Sequence, residues 1–186
     1  ELSKRGSLMS SMIFSLDRTA FDFLLKFSKT FKAREVYRPY NELNEYEFLL
    51  SKGYNDWAKT LAQFNDFSFQ NGSIDEQRSN KILWVDEKGV GRTALGVAIA
   101  IGNLDLVKAV LWSYGYSEDK FERNNVNIVA AQKKCPTGTS NGIIYGCTGA
   151  KFSAYHLAKK WKRTEILKYF DDKGLRSCSL GSIWCD

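Results

Sequence analysis

The chain has 186 residues, 44% hydrophobic and 14% aromatic, with 27 Lys and Arg against 21 Asp and Glu for a formal charge of +6. That composition excludes a disordered chain and fits one domain with a substantial core. Both signs of charge occur in every segment, so the positive excess favours an acidic partner, nucleic acid or anionic lipid without choosing among them.

From the amino end, SSMIFSLDRTAFDFLLKF, Ser10 to Phe27, has an apolar stripe ending in Leu24-Leu25 and predicts a first helix pair near residues 8–31. YEFLLSKGYNDWAKTLAQF, Tyr46 to Phe64, sets Gly53 between two stripes and predicts a second pair near 41–65. Phe67 to Asn80 reads as a surface loop, and its Asn71-Gly72-Ser73 is a glycosylation sequon only in a secreted eukaryotic chain. TALGVAIAIGNLDLVKAVLWSYG, Thr93 to Gly115, is the clearest unit: apolar spacing is helical on both sides of Gly102-Asn103, a pair that stops a helix, so two short helices are expected near 93–114.

An insertion follows at 116–150, in which Val126 to Ala130 and Ile143 to Tyr145 flank a turn-rich Pro136 to Gly142, the pattern of a hairpin. SAYHLAKKWKRTEILKYFDDKG, Ser153 to Gly174, repeats the third unit sixty residues on, with Glu165-Ile166-Leu167-Lys168 over Asp105-Leu106-Val107-Lys108; it predicts a fourth pair near 153–173, before a tail at 175–186. The longest apolar stretch, Ala94 to Ile101, is interrupted by Gly96 and falls far short of the roughly 20 residues that cross a bilayer. The start on Glu1-Leu2-Ser3-Lys4 is one that a processed export signal or a boundary within a longer chain would equally leave, so targeting stays open.

These units resemble the ankyrin repeat, whose pattern runs Asp-x-x-Gly-x-Thr-Pro-Leu-His-x-Ala, then Gly-x-Leu-acidic-Val-Val-Lys-x-Leu-Leu. Asp86-Glu87-Lys88-Gly89 supplies the turn, Thr93 and Ala98 hold their places, and the fourth unit keeps His156, Leu157 and Ala158. The departures are Ala94 and Ala154 where the family has Pro, Lys162 in place of the turn Gly, and two extra residues in Val90-Gly91-Arg92. The resemblance implies an all-α fold, a solenoid of about four helix pairs in which Ala98 and Ala158 allow close approach and Val97, Leu106, Val107, Val110 and Leu111 cover the next unit. It further implies a concave binding face on which Ser51, Lys52, Glu87, Lys88, Arg92, Ala100, Ile101, Lys160 and Trp161 would meet a protein partner.

Cys135, Cys147, Cys178 and Cys185 bracket two loops, CPTGTSNGIIYGC and CSLGSIWC, and read as staples of the insertion and tail. Of the three possible pairings, Cys135 with Cys147 and Cys178 with Cys185 is the most local. Oxidised, they place the chain in a periplasm, a secretory lumen or outside a cell; reduced, they allow a cytoplasmic setting. The spacing lacks the close pairs of a zinc site, so no metal is expected.

Catalytic constellations are sparse. The single histidine, His156, falls where the ankyrin pattern carries a structural one. GVGRTALG, Gly89 to Gly96, lacks the Gly-Lys-Ser/Thr ending of a phosphate loop. Glu45 with Glu47, and Asp171 with Asp172, read as solvated helix charges rather than an acid–base pair. KKWKR, Lys159 to Arg163, places a tryptophan among cations, a common interface anchor. The reading is therefore a protein-binding, non-catalytic chain without a cofactor. Its specific form is a periplasmic immunity protein that occludes a toxic effector. The alternatives are a scaffold or effector acting inside a host cell and a nucleic-acid-binding module.

Overall fold

The computed structural model describes residues 8–26, 43–64, 79–116, 128–133, 151–174 and 183–184. Among them eight helices fall into four pairs: α1 (Leu8–Phe14) and α2 (Arg18–Leu25), α3 (Glu45–Ser51) and α4 (Asn55–Gln63), α5 (Ala94–Ile101) and α6 (Leu104–Ser113), α7 (Ala154–Lys160) and α8 (Thr164–Asp172). Five of these helices start at a side chain that accepts from the amide three residues on: Asp17, Asn44, Thr93, Asn103 and Ser153. Each satisfies one of the donors that a helix start leaves orphaned.

Inside every pair the chain reverses through one left-handed residue: Leu16 (φ 59°), Gly53 (φ 77°), Gly102 (φ 80°) and Lys162 (φ 55°). Glycine adopts that conformation freely, whereas Leu16 and Lys162 carry a Cβ that strains it by about 1–2 kcal/mol. The amide after three of these turns closes back on the helix. Asp17 donates to the Met12 carbonyl, Tyr54 to Leu49 and Arg163 to Ala158, each at 2.9 Å, which satisfies a helix-end carbonyl. Lys162 thus performs the reversal that the third unit assigns to Gly102.

The pairs stack in chain order. α1, α3, α5 and α7 lie side by side, and α4, α6 and α8 form a second row behind them. Phe21 of α2 extends that second row, its ring centroid 5.2 Å from that of Trp57 in α4. Ala58, Ala98 and Ala158 are wholly buried, and such small side chains let neighbouring helices approach closely. Leu49, Leu95, Ile99, Leu106, Leu111, Ile166 and Phe170 fill the space between the rows. Full burial of each such side chain stabilises the fold by about 1.5–3 kcal/mol.

The all-α expectation is corrected along one edge, where five short strands form a sheet in the order β1 (Trp84–Val85), β2 (Gly91–Arg92), β3 (Val129–Gln132), β4 (Lys151–Ser153), β5 (Ile183–Trp184). The first four pair antiparallel and β5 lies parallel to β4. The β1–β2 turn is tied by Asp86, whose Oδ1 accepts from the Lys88 amide at 3.0 Å and the Val90 amide at 2.9 Å, with Gly89 at φ 72°. Strands of two residues persist because each lends its backbone groups to the next. The fold is therefore mixed, helix pairs with a sheet along one edge, and the ankyrin-like, disulfide-stapled solenoid is not retained. No disulfide is seen among the described residues. Cys135, Cys147, Cys178, Cys185 and the expected strand at Ile143–Tyr145 all lie outside them.

Sheet and helices are joined at a bulge between Val129 and Ala131. Thr93, the cap of α5, donates its amide to the Ala130 carbonyl at 3.1 Å and its hydroxyl to the Val129 carbonyl at 2.9 Å. Gly96, one turn into α5, presses so closely that a Cβ there would sit 1.9 Å from the Ala130 oxygen. Ala154, at the start of α7, donates to the Ile128 carbonyl at 3.0 Å. Both inner helices thereby start from the sheet, α5 directly after β2 and α7 directly after β4.

Candidate interaction surface

Arg92 leaves β2 half-buried, and its guanidinium carbon stands 4.7 Å from the centre of the Trp161 ring. Trp161 caps the carboxyl end of α7, where its amide donates to the Leu157 carbonyl at 3.0 Å. A guanidinium over an indole face is a cation–π contact worth on the order of 0.5–2 kcal/mol, more as it is desolvated. Burial draws the Arg92 pKa down and the nearby Asp86 charge opposes that shift; arginine nevertheless remains a cation at neutral pH. Asp86 Oδ2 lies 3.9 Å from Arg92 Nη2, close enough for attraction and too far for a hydrogen bond.

Trp84 is the cross-strand partner of Arg92. Directly opposed residues of an antiparallel pair project to the same face, so Trp84 flanks the Arg92–Trp161 stack. It is 47% exposed, a large apolar surface to leave in water. Lys88 and Glu87 are exposed at the hairpin tip, and Lys159, Lys160 and Lys162 are exposed around Trp161. Arg163 crosses between neighbouring pairs: Nη2 donates to the Ala100 carbonyl, and its guanidinium covers Gly102, where a Cβ would meet it at 2.9 Å.

The structure thus brings Arg92 and Trp161 into contact and sets Lys160 beside them, with Glu87 and Lys88 at the tip of the adjoining hairpin. Ala100 and Ile101 are half-buried at the end of α5, the Ala100 carbonyl engaged by Arg163 and the Ile101 side chain packed on the core. Ser51 donates its hydroxyl to the Phe48 carbonyl at 2.8 Å, within its own helix, and Lys52 is exposed one helix pair away. The spacing of Ile82-Leu83-Trp84-Val85 before Asp86 to Gly89 is the signal that identifies Trp84, since a β-prone run ahead of a turn marks a hairpin strand. Arg163 carries no such signal, because its role depends on the neighbouring pair.

The carboxylates considered for catalysis have other employment. Glu47 is buried, accepting from the Asn44 amide at 2.7 Å and the Tyr114 hydroxyl at 2.9 Å, and Glu45 is buried and accepts from the Ser10 hydroxyl; neither is the solvated surface charge that the sequence implies. Asp171 accepts from Tyr155 at 3.1 Å. The His156 ring lies 5.3 Å from that of Phe152. Among the described residues no cluster of His, Cys, Asp and Glu could hold a metal ion, and no helix is long and apolar enough to cross a membrane. No family model, no curated protein and no solved structure matches this chain, and the resemblance to the ankyrin family accordingly gains no support from them.

Proposed function

We propose that this chain binds another protein, without catalysing a reaction, through the face built on Trp84, Arg92 and Trp161. The observation that carries the reading is the exposure of Trp84, 47% in water beside an ordered cation–aromatic stack. Tryptophan and arginine are the residues most enriched where interfaces concentrate their binding energy. The exposed Lys88, Lys159, Lys160 and Lys162 around them favour an acidic partner and speed its approach. The hairpin is tied to β3, which the start of α5 holds through Thr93, and a face anchored in this way lowers the ordering cost on binding.

The most specific form of the proposal is an immunity protein, working in a periplasm or outside the cell, that covers the active-site mouth of a toxic effector. It draws on the sequence reading of a small binding body with loop-borne cysteines and no catalytic constellation. Co-expression with the product of the adjacent gene tests it. A complex that protects a sensitive cell, and that Trp84→Ala weakens by about tenfold or more, supports the reading. Retention on duplex DNA through the same face, with no protein bound, overturns it.

A further inference from the structure

We propose that Arg92 is a receptor for a carboxylate of the partner, and that the partner segment presents an Asp or Glu within about two residues of a large apolar side chain, which Trp84 accepts. The inference rests on the protein-binding reading and specifies what that face recognises.

The geometry of the guanidinium carries it. Trp161 lies 4.7 Å from its central carbon and covers one side of the group without accepting an N–H bond as a carboxylate would. The nearby acid does not accept one either. Asp86 Oδ2 stands at 3.9 Å, while its Oδ1 is held by the amides of Lys88 and Val90 at 3.0 and 2.9 Å. For Asp86 to swing onto Arg92 and form two parallel hydrogen bonds, it would have to release the hairpin turn that it ties. Arg92 is thus covered on one side and attracted from another, with no hydrogen bond of carboxylate geometry to either. An arginine presented in this way matches a carboxylate in a manner lysine does not, because the planar fork donates two parallel bonds.

Trp84 supplies the neighbouring subsite. Opposed strand residues have Cβ atoms about 4.5–5.5 Å apart. Alternate side chains of an extended peptide are separated by about 6–7 Å, a spacing that long side chains easily bridge. One extended segment can therefore lay its carboxylate on Arg92 and its apolar residue on the exposed indole. Lys88 and Lys160 at the rim add attraction for acids on either side of that pair.

The full chain, immobilised, is used to select from a random displayed-peptide library. The expected winners pair Asp or Glu with Trp, Phe, Leu or Ile at that spacing. A synthetic winner should bind about tenfold or more weakly to Arg92→Lys and to Trp84→Ala, and equally well to Lys168→Ala, which lies on α8. The same peptide with its acid changed to the amide should lose a similar factor against the unaltered protein, a comparison that no folding defect can distort. Winners without an acid, indifference to Arg92→Lys or to the amide, or failure to select any peptide overturns the inference. If the partner protein still binds through Trp84 while Arg92→Lys changes nothing, the carboxylate receptor falls and the protein-binding reading stands.

Discussion

Replacing Gly96 by alanine sets two physical effects against each other. In a free helix the change is favourable by about 1 kcal/mol, because alanine loses less conformational freedom. Here the new Cβ would stand 1.9 Å from the Ala130 oxygen and 2.8 Å from its carbonyl carbon, so α5 and β3 must separate by roughly 1.5 Å to restore ordinary contact. Separation breaks the two hydrogen bonds from Thr93 to Val129 and Ala130, about 1 kcal/mol each, and overpacking adds about 1–3 kcal/mol. The net expectation is a destabilisation of about 2–4 kcal/mol, a fall in Tm of roughly 5–15 °C for a chain of this size. Gly53→Ala is the matched control: nothing lies near its Cβ, and only the left-handed backbone resists, by about 1–2 kcal/mol. Thermal and urea unfolding followed by circular dichroism compares the variants. A Gly96→Ala protein as stable as the parent would refute the close seating of α5 on the sheet.

Leu16→Gly and Lys162→Gly relieve left-handed strain and should each raise stability by about 1 kcal/mol after the entropy of the unfolded glycine is counted, read as a higher urea midpoint; a lower midpoint would contradict the turn geometry. Burial, aided by the Glu45 charge, raises the Tyr46 pKa well above its ordinary value, so the folded state holds that proton more tightly than the unfolded chain does. The resulting stability is fully present below the unfolded pKa of about 10 and is lost as pH rises above it. Tyr46→Phe should therefore flatten the alkaline decline, and an unchanged slope above about pH 10 would count against that environment. Association with an acidic partner should slow as salt rises from about 0.01 to 0.15 M, with dissociation little affected, in stopped-flow traces. Lys160→Glu should slow it further, and an on-rate indifferent to both would remove the electrostatic part of the account.

How much of this was legible in the sequence follows the range of the interactions. Helix starts at Asn44, Thr93 and Ser153 and the reversals at Gly53 and Gly102 are local events with local signals. The left-handed turns at Leu16 and Lys162 have no glycine to announce them; tertiary packing of each pair imposes them. Of the sheet, the expected strand at Val126 to Ala130 overlaps β3; the other strands escape because two or three residues show no period, and the pairing of β2 with β3 spans a long separation in the chain. At the site, Arg92 and Trp161 are singled out separately, Arg92 by the ankyrin resemblance alone and Trp161 also as an aromatic among cations. Their contact is set by how α7 lies against α5, which no local pattern encodes. Glu47 shows the opposite failure: a residue that looks solvated beside Glu45 is drawn inside by a capping box and by the Tyr114 hydroxyl.

The central claim is that one face does the binding, and crosslinking in the producing cell tests it most directly. A photoreactive amino acid replaces Glu87 at the hairpin tip in one variant and Lys168, exposed on α8, in another. The account predicts a discrete adduct with an acidic protein from position 87 and none from position 168. An adduct confined to position 168, or capture of nucleic acid in place of protein at position 87, would contradict it.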